Sequence, residues 1–341
     1  MCLFILLFFL SRIINRAFLT RNSPQPLDAC TRLGCFTRIP RHNFIAKAMN
    51  DVALSLDVFQ MLHSLWGINT QNSHLETVPC SHPVSINRSD LTKITHRDYW
   101  ASPKIDGVRS YMLFSFVDNT DYAVIVNRAG KFKVCHVDAP NDFFCGTLLD
   151  GEMIDNSFIV FDCVAHSGFS TCQLPHNVRL TRARDVVDSC TFSSLEVRVK
   201  EWFPLKSSNL QHIMSSCGYK CDGLILMPRT FGTLTPGTAS DQFKWKTAAH
   251  HTIDMKFSNG KLWLNSWRGS VDATSLSIQP PSEPEGYVND AIYEFQLTYT
   301  ENGWLPKLVC ERNDKRYPND VNVARSTLQN ILENIQLSEL Q

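Results

Sequence analysis

The sequence has no net charge, because 33 basic residues balance 33 acidic ones among its 341 residues. This balance excludes a broad positive surface that could hold a long stretch of nucleic acid. It does not exclude one basic pocket inside a neutral chain. We therefore expect any contact with nucleic acid to be local, as in a protein that handles only the end of a strand.

The sequence also lacks a Cys-x-x-Cys pair, although it contains 12 cysteines. The cysteines are scattered singly through apolar segments, which indicates reduced, mostly buried thiols rather than a disulfide framework. Cys217 and Cys221 could form half of a zinc site, but no second pair of ligands follows at the spacing of a zinc finger. We favour thiols without structural zinc.

No apolar run reaches the roughly 20 residues that a membrane-spanning helix needs. Residues 3–10 are continuously apolar, and Arg12, Arg16 and Arg21 follow them. A signal peptide carries its positive charge before the apolar core and a mitochondrial presequence is amphipathic, so neither template fits well. We expect residues 1–48 to be a disordered or targeting leader, with translation from Met49 as an alternative, and no stable membrane association.

Hydrophobic periodicity predicts a helix at the start of a first domain, which we place at residues 49–246. The apolar positions at helical spacing are Val52, Leu56, Phe59, Leu62 and Trp66. From residue 110 the pattern becomes extended, and short strands follow one another up to residue 164. This part of the sequence predicts an antiparallel meander.

After Lys246 the pattern changes to β-hairpins. The segments 252–267 and 291–310 each contain an Asn-Gly pair that predicts a tight turn. Two such hairpins are typical of a small β-barrel, which we place at residues 247–317. A helix is expected to follow at residues 318–341 and to pack back on the first domain. The predicted fold class is therefore α+β.

One short segment, Lys104-Ile105-Asp106-Gly107-Val108-Arg109, suggests covalent chemistry. By itself it is a weak signal, because a surface lysine beside an Asp-Gly turn gives the same pattern. Its weight comes from further motifs that follow in order. These are Leu149-Asp150-Gly151-Glu152, Phe161-Asp162, the segment 199–205, Asp222-Gly223-Leu224-Ile225, Phe243-Lys244-Trp245-Lys246 and Arg312-Asn313-Asp314-Lys315. Such an ordered series is improbable by chance.

This series resembles the covalent nucleotidyltransferase superfamily, which contains capping enzymes and ATP-dependent DNA and RNA ligases. It most resembles the mRNA capping guanylyltransferases, over residues 66–332. Three segments favour the capping branch: 83–88, 199–205 and 312–319. Cys80 and His82 depart from the Gly and Gln that are usual ahead of the lysine. The resemblance implies an antiparallel-sheet nucleotidyltransferase domain followed by an OB-fold β-barrel domain.

The resemblance also implies that Lys104 attacks the α-phosphate of GTP and carries a covalent GMP, which then passes to the 5′-diphosphate end of an RNA. The attack needs an amine without its extra proton, whereas an isolated lysine has a pKa of about 10.4. Lys244 and Lys246 are two residues apart on a predicted strand and point to one face. Their charges, with a bound metal, would favour the neutral amine and meet the phosphate.

Other residues would bind the nucleotide or the metal by resemblance. Arg109 and Arg128 would hold the ribose and the base, Phe161 would stack on guanine, and Lys200 would donate to guanine O6. Glu152 and Asp222 would act on the ribose or on Mg²⁺ or Mn²⁺, which we expect to be bound largely through the nucleotide. The remaining positions expected to bind the nucleotide are Ile105, Asp106, Asp254 and Asp314.

Arg312 and Lys315 belong to the predicted barrel and would orient the leaving pyrophosphate. The barrel would then close over GTP as a lid and reopen for RNA. The pair His250-His251 is interpreted as a surface pair at the domain junction rather than a ligand pair.

Two other functions stay open. One is an ATP-dependent DNA or RNA ligase, and the other is a non-catalytic subunit that binds RNA ends. The sequence contains no phosphatase loop and no Gly-rich methyl-donor site, so a separate RNA triphosphatase and cap methyltransferase are expected as partners, and RNA polymerase could recruit the protein. The location would be the nucleus for a cellular protein, and the cytoplasm or virion for a viral one.

Overall fold

The computed structural model describes residues 81–117, 120–127, 131–230, 232, 234, 237–283 and 286–341. The expectations for residues 1–48, for Met49 and for the helix after it lie outside the described residues, as does Arg128. The described chain is a mixed α+β fold in which three larger sheets carry most of the strands.

The first sheet has five strands in the order β1, β14, β13, β2, β12. They are β1 (Ser81–Ser85), β2 (Tyr99–Ile105), β12 (Phe203–Pro204), β13 (Cys221–Pro228) and β14 (Gly237–Lys246). Strand β13 pairs antiparallel with both β2 and β14, whereas β1 runs parallel to β14. Strand β13 therefore brings the motifs at Lys104, Asp222 and Lys246 side by side, although Lys104 lies 118 positions before Asp222 in the chain.

The second sheet follows the order β11, β8, β7, β3, β4, β5, with β9 paired to β8. Its members are β3 (Val108–Val117), β4 (Thr120–Asn127), β5 (Phe132–Cys135), β7 (Thr147–Ile154), β8 (Ser157–His166), β9 (Phe169–Ser170) and β11 (Glu196–Val199). Strands β3 to β5 form the predicted meander, but β7 pairs with the other side of β3. A separate two-stranded ribbon joins β6 (Val137–Asp138) to β10 (Thr191–Phe192).

Three short helices accompany these sheets: α1 (Leu91–His96), α2 (His176–Asp188) and α3 (Leu210–Ser216). The sequence pattern does not predict α2, because its segment is mostly polar. It folds against the second sheet by burying Ala183 and Val186 beside Phe114 and Leu149. Arg179 of α2 is fully buried and pairs with Asp162 of β8, at 2.7 Å between Nε and Oδ1.

The third sheet has the order β17, β16, β15, β18, β19, and all of its pairings are antiparallel. Its strands are β15 (Thr252–Ser258), β16 (Lys261–Leu264), β17 (Val271–Asp272), β18 (Ile292–Thr300) and β19 (Gly303–Glu311). The two predicted hairpins are confirmed, but Thr300 pairs with Gly303, so Glu301 and Asn302 form the second turn instead of Asn302 and Gly303. Asn259 and Gly260 both have positive φ, at 54° and 74°, which suits the twist of a two-residue hairpin turn.

The core beneath the third sheet is separate from the cores of the other two. Its buried members all lie between Ile253 and Leu328. In the described part of the chain the strands of this sheet do not close into a barrel, although an isolated parallel bridge links Ile278 to Trp304.

The last helix, α4 (Val321–Glu333), begins where Asp320 accepts a hydrogen bond from the backbone N–H of Asn322. Ala324 and Leu328 of α4 pack into the core of the third sheet. The chain that follows contacts the first sheet, because the indole N–H of Trp245 donates to the carbonyl of Ile335 at 2.8 Å. The C-terminal segment thus contacts both parts.

The described cysteines form no disulfide, and their burial varies more than the sequence predicts. Cys135, Cys163 and Cys172 are buried, whereas Cys145 and Cys310 are exposed. Of the helices that the structure describes, none is both long and apolar enough to cross a membrane.

Candidate active site

Three neighbouring strands bring Lys104 and Lys246 together across Gly223. In the first sheet, Gly223 of β13 lies opposite Lys104 of β2 on one side and Lys246 of β14 on the other. A Cβ atom at position 223 would lie 1.9 Å from the carbonyl oxygen of Trp245. Only glycine fits this close approach of strands, which explains the Asp-Gly order in the motif.

Asp222 lies at an irregularity in β13, where the pairing with β2 shifts between Cys221 and Gly223. Its carboxylate lies between two ammonium groups: Oδ1 lies 2.9 Å from Nζ of Lys104, and Oδ2 lies 2.5 Å from Nζ of Lys246. The hydrogen bond from Lys104 goes to Oδ2, at 3.1 Å. Burial opposes ionisation of Asp222, but the two lysines outweigh it and lower its pKa. The shift in register thus places one carboxylate between both lysines.

Lys244 lies two residues before Lys246 on β14. Burial lowers the pKa of Lys244, and the charges of Lys246 and Lys104 lower it further. The three lysines are therefore close enough to affect one another. One carboxylate does not neutralise three ammonium groups, so the group keeps a positive charge that suits an anionic ligand.

The sequence interpretation of His250-His251 as a surface pair holds only for His250. His250 is exposed and pairs with the hydroxyl of Thr247 at 2.7 Å. His251 is part-buried, and burial together with the charge of Lys246 lowers its pKa to about 4. A neutral imidazole therefore lies next to the lysine group. No motif in the sequence marks it.

Arg109 of β3 is held by a bidentate ion pair. Its Nη2 and Nε lie 2.5 and 3.0 Å from the two carboxylate oxygens of Asp150, and its Nη1 donates to the carbonyl of Ser81 at 2.8 Å. The guanidinium carbon lies 5.1 Å from the centre of the Phe161 ring. Asp150, quoted within a motif but given no role by the sequence, fixes the direction of Arg109.

Phe161 also meets Lys200, whose Nζ lies 5.9 Å from the centre of the ring. The same Nζ lies 5.7 Å from the centre of the Trp202 ring. Burial lowers the pKa of Lys200 to about 8, against the opposing effect of Glu152. Burial in turn raises the pKa of Glu152, against Lys200 and Arg109. Three charged groups and two aromatic rings thus converge at this edge of the site.

The two residues after Lys104 differ in burial. Ile105 is buried in β2, and its backbone pairs with Cys221. Asp106 is exposed and forms an ion pair with Lys220, at 3.0 Å between Oδ2 and Nζ. The backbone of Asp106 also donates to the carbonyl of Lys220 at 3.1 Å. These contacts tie the segment after Lys104 to the start of β13.

A second charged group lies in the third sheet and the segment after it. Arg312 lies 3.1 Å from Asp254, 3.2 Å from Glu294 and 2.8 Å from Asp314. Lys315 is more loosely placed, 3.9 Å from Asp254. The hydrogen bond from Arg312 lowers the pKa of Asp314 to about 2. Four predicted residues therefore meet here, joined by Glu294, which no motif in the sequence marks.

The predicted residues thus fall into two groups rather than one. Among the side chains that the structure describes, no ion pair joins the Arg312 group to the lysines. The first group comprises Lys104, Ile105, Asp106, Arg109, Glu152, Phe161, Lys200, Asp222, Lys244 and Lys246. The second comprises Asp254, Arg312, Asp314 and Lys315. The roles assigned to these residues stay predictions.

Two carboxylates of the first group have oxygens that a divalent cation could take. Oδ1 of Asp222 is buried and accepts no well-oriented hydrogen bond, despite its closeness to Lys104. Glu152 has no hydrogen bond or ion pair to any described side chain. Carboxylate oxygen is the donor that Mg²⁺ and Mn²⁺ prefer. In the described part of the chain, no three His, Cys, Asp or Glu side chains cluster closely enough to hold a metal ion.

Several lysines around one carboxylate, beside an aromatic face, have the charge and shape that suit a phosphorylated ligand with a planar ring. Sequence comparison agrees. The profile of the family described as "mRNA capping enzyme, catalytic domain" matches residues 46–248, more than half of the chain. The chain therefore belongs to the mRNA capping enzyme family.

Two relatives illustrate the extent of the similarity. The mRNA-capping enzyme of Danio rerio is 24% identical over 290 residues, which cover 74% of this chain and 47% of that protein. The mRNA-capping enzyme subunit alpha of Schizosaccharomyces pombe is 24% identical over 327 residues, covering 78% of this chain and 79% of that protein. The chain thus spans about half the length of the first relative and most of the second.

Among solved structures, the fold is similar to the "mycobacterial DNA ligase D complexed with ATP and MES". The TM-score is 0.42 and the identity 14%, with 71% of this chain and 97% of that chain covered.

Proposed function

We propose that the protein is an mRNA guanylyltransferase, which takes GMP from GTP onto Lys104 and transfers it to the 5′-diphosphate end of RNA. The observation that carries the proposal is the convergence of Lys104 and Lys246 on Asp222 across three strands. Membership of the capping enzyme family supports it. The names of the two relatives support it as well.

In the first step, Nζ of Lys104 attacks the α-phosphorus of GTP. A phosphorus–nitrogen bond forms, the bond to the pyrophosphate oxygen breaks, and the lysine loses its extra protons to the surroundings. In the second step, a terminal oxygen of the RNA diphosphate attacks the same phosphorus, the bond to Lys104 breaks, and the departing amine takes up protons from the surroundings. Lys244 and Lys246 balance the charge that develops on the phosphoryl oxygens.

Guanine would stack on Phe161, and Lys200 would donate a hydrogen bond to O6. Adenine carries an amino group at that position, so it offers a donor where guanine offers an acceptor. The closeness of Lys200 to the Phe161 ring supports this placement. Arg109, held by Asp150, would contact the ribose. The role of Arg128 on the base stays a proposal from resemblance.

Glu152 and Asp222 would hold Mg²⁺ or Mn²⁺ together with the phosphates of the nucleotide. The buried Oδ1 of Asp222 supports this assignment, because it has no well-oriented hydrogen bond. Such an ion supplies positive charge to the phosphates. This protein would then contribute only some of the ligands of the metal ion, and the nucleotide would contribute others.

Residues 247–317 would form an OB-fold lid that brings Arg312 and Lys315 to the leaving pyrophosphate. Pairing of β15 with both β16 and β18 supports this topology, as does the parallel bridge between Ile278 and Trp304. We place the nucleotidyltransferase domain at 49–246 and a C-terminal helical segment at 318–341. In this scheme the lid closes for the first step and opens for RNA.

The 5′-diphosphate end that the second step needs would come from a separate RNA triphosphatase, and a methyltransferase would act on the product. We also propose that RNA polymerase recruits the protein. Its location would be the nucleus for a cellular protein, and the cytoplasm or virion for a viral one. The name "subunit alpha" carried by the fission yeast relative supports the existence of a partner.

The proposal can be tested by finding which nucleotide labels the protein covalently. The protein is incubated with labelled GTP or labelled ATP and Mg²⁺, and the denatured chain is examined for covalent label. We expect label from GTP alone, absent from Lys104→Ala and present in the surface control Lys133→Ala. Label from ATP alone would make the protein a ligase. Label from neither nucleotide would favour a non-catalytic subunit.

A further inference from the structure

Trp267 is the most exposed of the large apolar side chains that the structure describes. Its side chain is 84% exposed, in the turn between β16 and β17. The guanidinium carbon of Arg268 lies 4.3 Å from the centre of the indole. One exposed apolar residue is common on a protein surface, so Trp267 is informative only together with its arginine and with a second pair of the same kind.

A second pair of the same kind lies in the segment after Arg312. Tyr317 is 60% exposed, and the guanidinium carbon of Arg316 lies 5.5 Å from its ring. Both residues fall in spacer positions of the motif around Arg312, so the proposed chemistry does not use them. Together we name Trp267, Arg268, Arg316 and Tyr317 the aromatic–arginine surface.

Backbone hydrogen bonds join the two segments that carry this surface. The N–H of Asn265 donates to the carbonyl of Asn319 at 2.9 Å, and the N–H of Val321 donates to the carbonyl of Asn265 at 2.8 Å. Each aromatic residue lies two positions from this junction. Since two residues of extended chain span at most about 7 Å, the two aromatic Cα atoms lie within about 20 Å. The two pairs therefore belong to one region.

The two arginines of this surface form no ion pair with any described carboxylate. In the described chain, neither Arg268 nor Arg316 has a carboxylate within 4.0 Å, whereas Arg312 has three. Two free guanidinium groups beside two exposed rings match a ligand that alternates phosphates with planar bases. A single-stranded nucleic acid has this chemistry.

The surface is also tied to the proposed lid group. The side chain of Asn319 accepts a hydrogen bond from the N–H of Asp254 at 2.8 Å, and the N–H of Asn319 donates to the carbonyl of Asp254. Asp254 in turn pairs with Arg312. A strand that lies on the surface would therefore pass next to the residues that meet the phosphates.

We propose that the aromatic–arginine surface binds the single-stranded RNA that follows the 5′ end, with bases stacked on Trp267 and Tyr317 and phosphates beside Arg268 and Arg316. This inference rests on the proposed function for its choice of RNA. It adds a binding site outside the lysine group, and it explains how a chain without net charge retains an RNA after its end has entered the site.

The test separates RNA binding from nucleotide chemistry. Trp267→Ala and Tyr317→Ala are compared with Phe169→Ala, which removes an aromatic side chain that is 70% exposed and has no arginine on its ring. Affinity is measured by fluorescence anisotropy with a 5′-diphosphate RNA on the order of 10 nucleotides long. We expect each surface variant to bind about tenfold more weakly, Trp267→Phe to bind nearly as the parent does, and Phe169→Ala to be unchanged.

The adduct assay with GTP distinguishes a failure of this inference from a failure of the proposed function. The first step needs no RNA, so all of these variants should form the adduct at the parent rate, while the KM for RNA in the transfer step rises for the surface variants only. Normal RNA affinity in both surface variants would overturn the inference and favour a protein-binding surface. Absence of adduct in the parent protein would instead overturn the proposed function.

Discussion

The ammonium group of Lys104 lies 2.9 Å from the carboxylate of Asp222, although 118 positions separate the two residues in the sequence. Oδ2 of the same carboxylate accepts a hydrogen bond from Lys104 and also contacts Lys246. Asp222 is therefore the counter-ion of two lysines in the protein without nucleotide. In the proposed reaction, a phosphate or metal ion that binds here would have to replace some of these contacts.

Asp222→Asn should impair both folding stability and chemistry. The amide leaves two lysines without their counter-ion, and we expect a loss of about 1–3 kcal/mol in the free energy of unfolding at neutral pH. The pKa of Asp222 is lowered in the folded chain. Its contribution is therefore complete above the ordinary carboxyl pKa of 3.8 and is lost as the pH falls through the lower folded value.

Denaturant unfolding of the two proteins between pH 7 and pH 3 checks this prediction. The difference between parent and variant should stay constant down to about pH 4 and shrink below it. Asp121→Asn, on the exposed side of β4, serves as the control. A difference that grows as the pH falls would contradict the assigned role of Asp222.

Lys200 should make guanine binding depend on pH. Its pKa is about 8, so the ammonium form that would donate to O6 in the proposed complex is lost as the pH rises through that value. The Kd of GMP, which lacks a leaving pyrophosphate, should be flat below about pH 7 and rise about tenfold per pH unit once above the pKa. Isothermal titration between pH 6.5 and pH 9 would measure it.

Lys200→Met removes the titrating group and keeps a chain of similar length. We expect its affinity for GMP to be weaker and independent of pH across the same range. The preference for GMP over AMP should also decrease, because the donor to O6 is missing. A variant that kept the pH dependence would show that another group causes it.

Gly223→Ala should disrupt the site from within the sheet. The new Cβ would meet the backbone oxygen of Trp245 at 1.9 Å, and a backbone atom cannot move aside as a side chain does. We expect a loss of several kcal/mol in stability, on the order of 3 or more, with loss of adduct formation. Thermal melting and the GTP adduct assay measure the two effects.

Gly286→Ala provides the matched control, since no heavy atom lies within 4 Å of the Cβ built there. It should melt within a degree or two of the parent, because a substitution away from such contacts changes stability by about 0.5 kcal/mol or less. Equal melting temperatures for the two alanine variants would refute the close approach of β13 and β14.

The buried ion pair between Arg179 and Asp162 should support the Phe161 edge of the site. Arg179 is fully buried, and Asp162 directly follows Phe161. Arg179→Ala leaves a buried carboxylate without its cation, which costs about 3–5 kcal/mol. Arg182→Ala, exposed on the same helix, should cost about 0.5 kcal/mol or less. Chemical denaturation of both variants checks the contrast, and equal losses would argue against the pair.

Features that depend on neighbouring residues could be predicted from the sequence, whereas features that depend on contacts between distant residues could not. The Asn259-Gly260 turn and the start of α4 at Asp320 were predictable, because turn and cap preferences depend on neighbouring residues. Helix α2 was not, since its polar segment is stabilised by the burial of Arg179 against Asp162 rather than by an apolar stripe. The roles of Asp150 and His251 also follow only from the fold.

The sequence by itself determined the order of the motifs, the lysine at position 104 and the family to which the chain belongs. These properties depend only on the order of the residues in the sequence. Only the tertiary structure decided that Asp222 lies between Lys104 and Lys246 and that Arg312 is held by Asp254, Glu294 and Asp314. Such contacts depend on strand register, and register is set by the packing of whole sheets rather than by local preference.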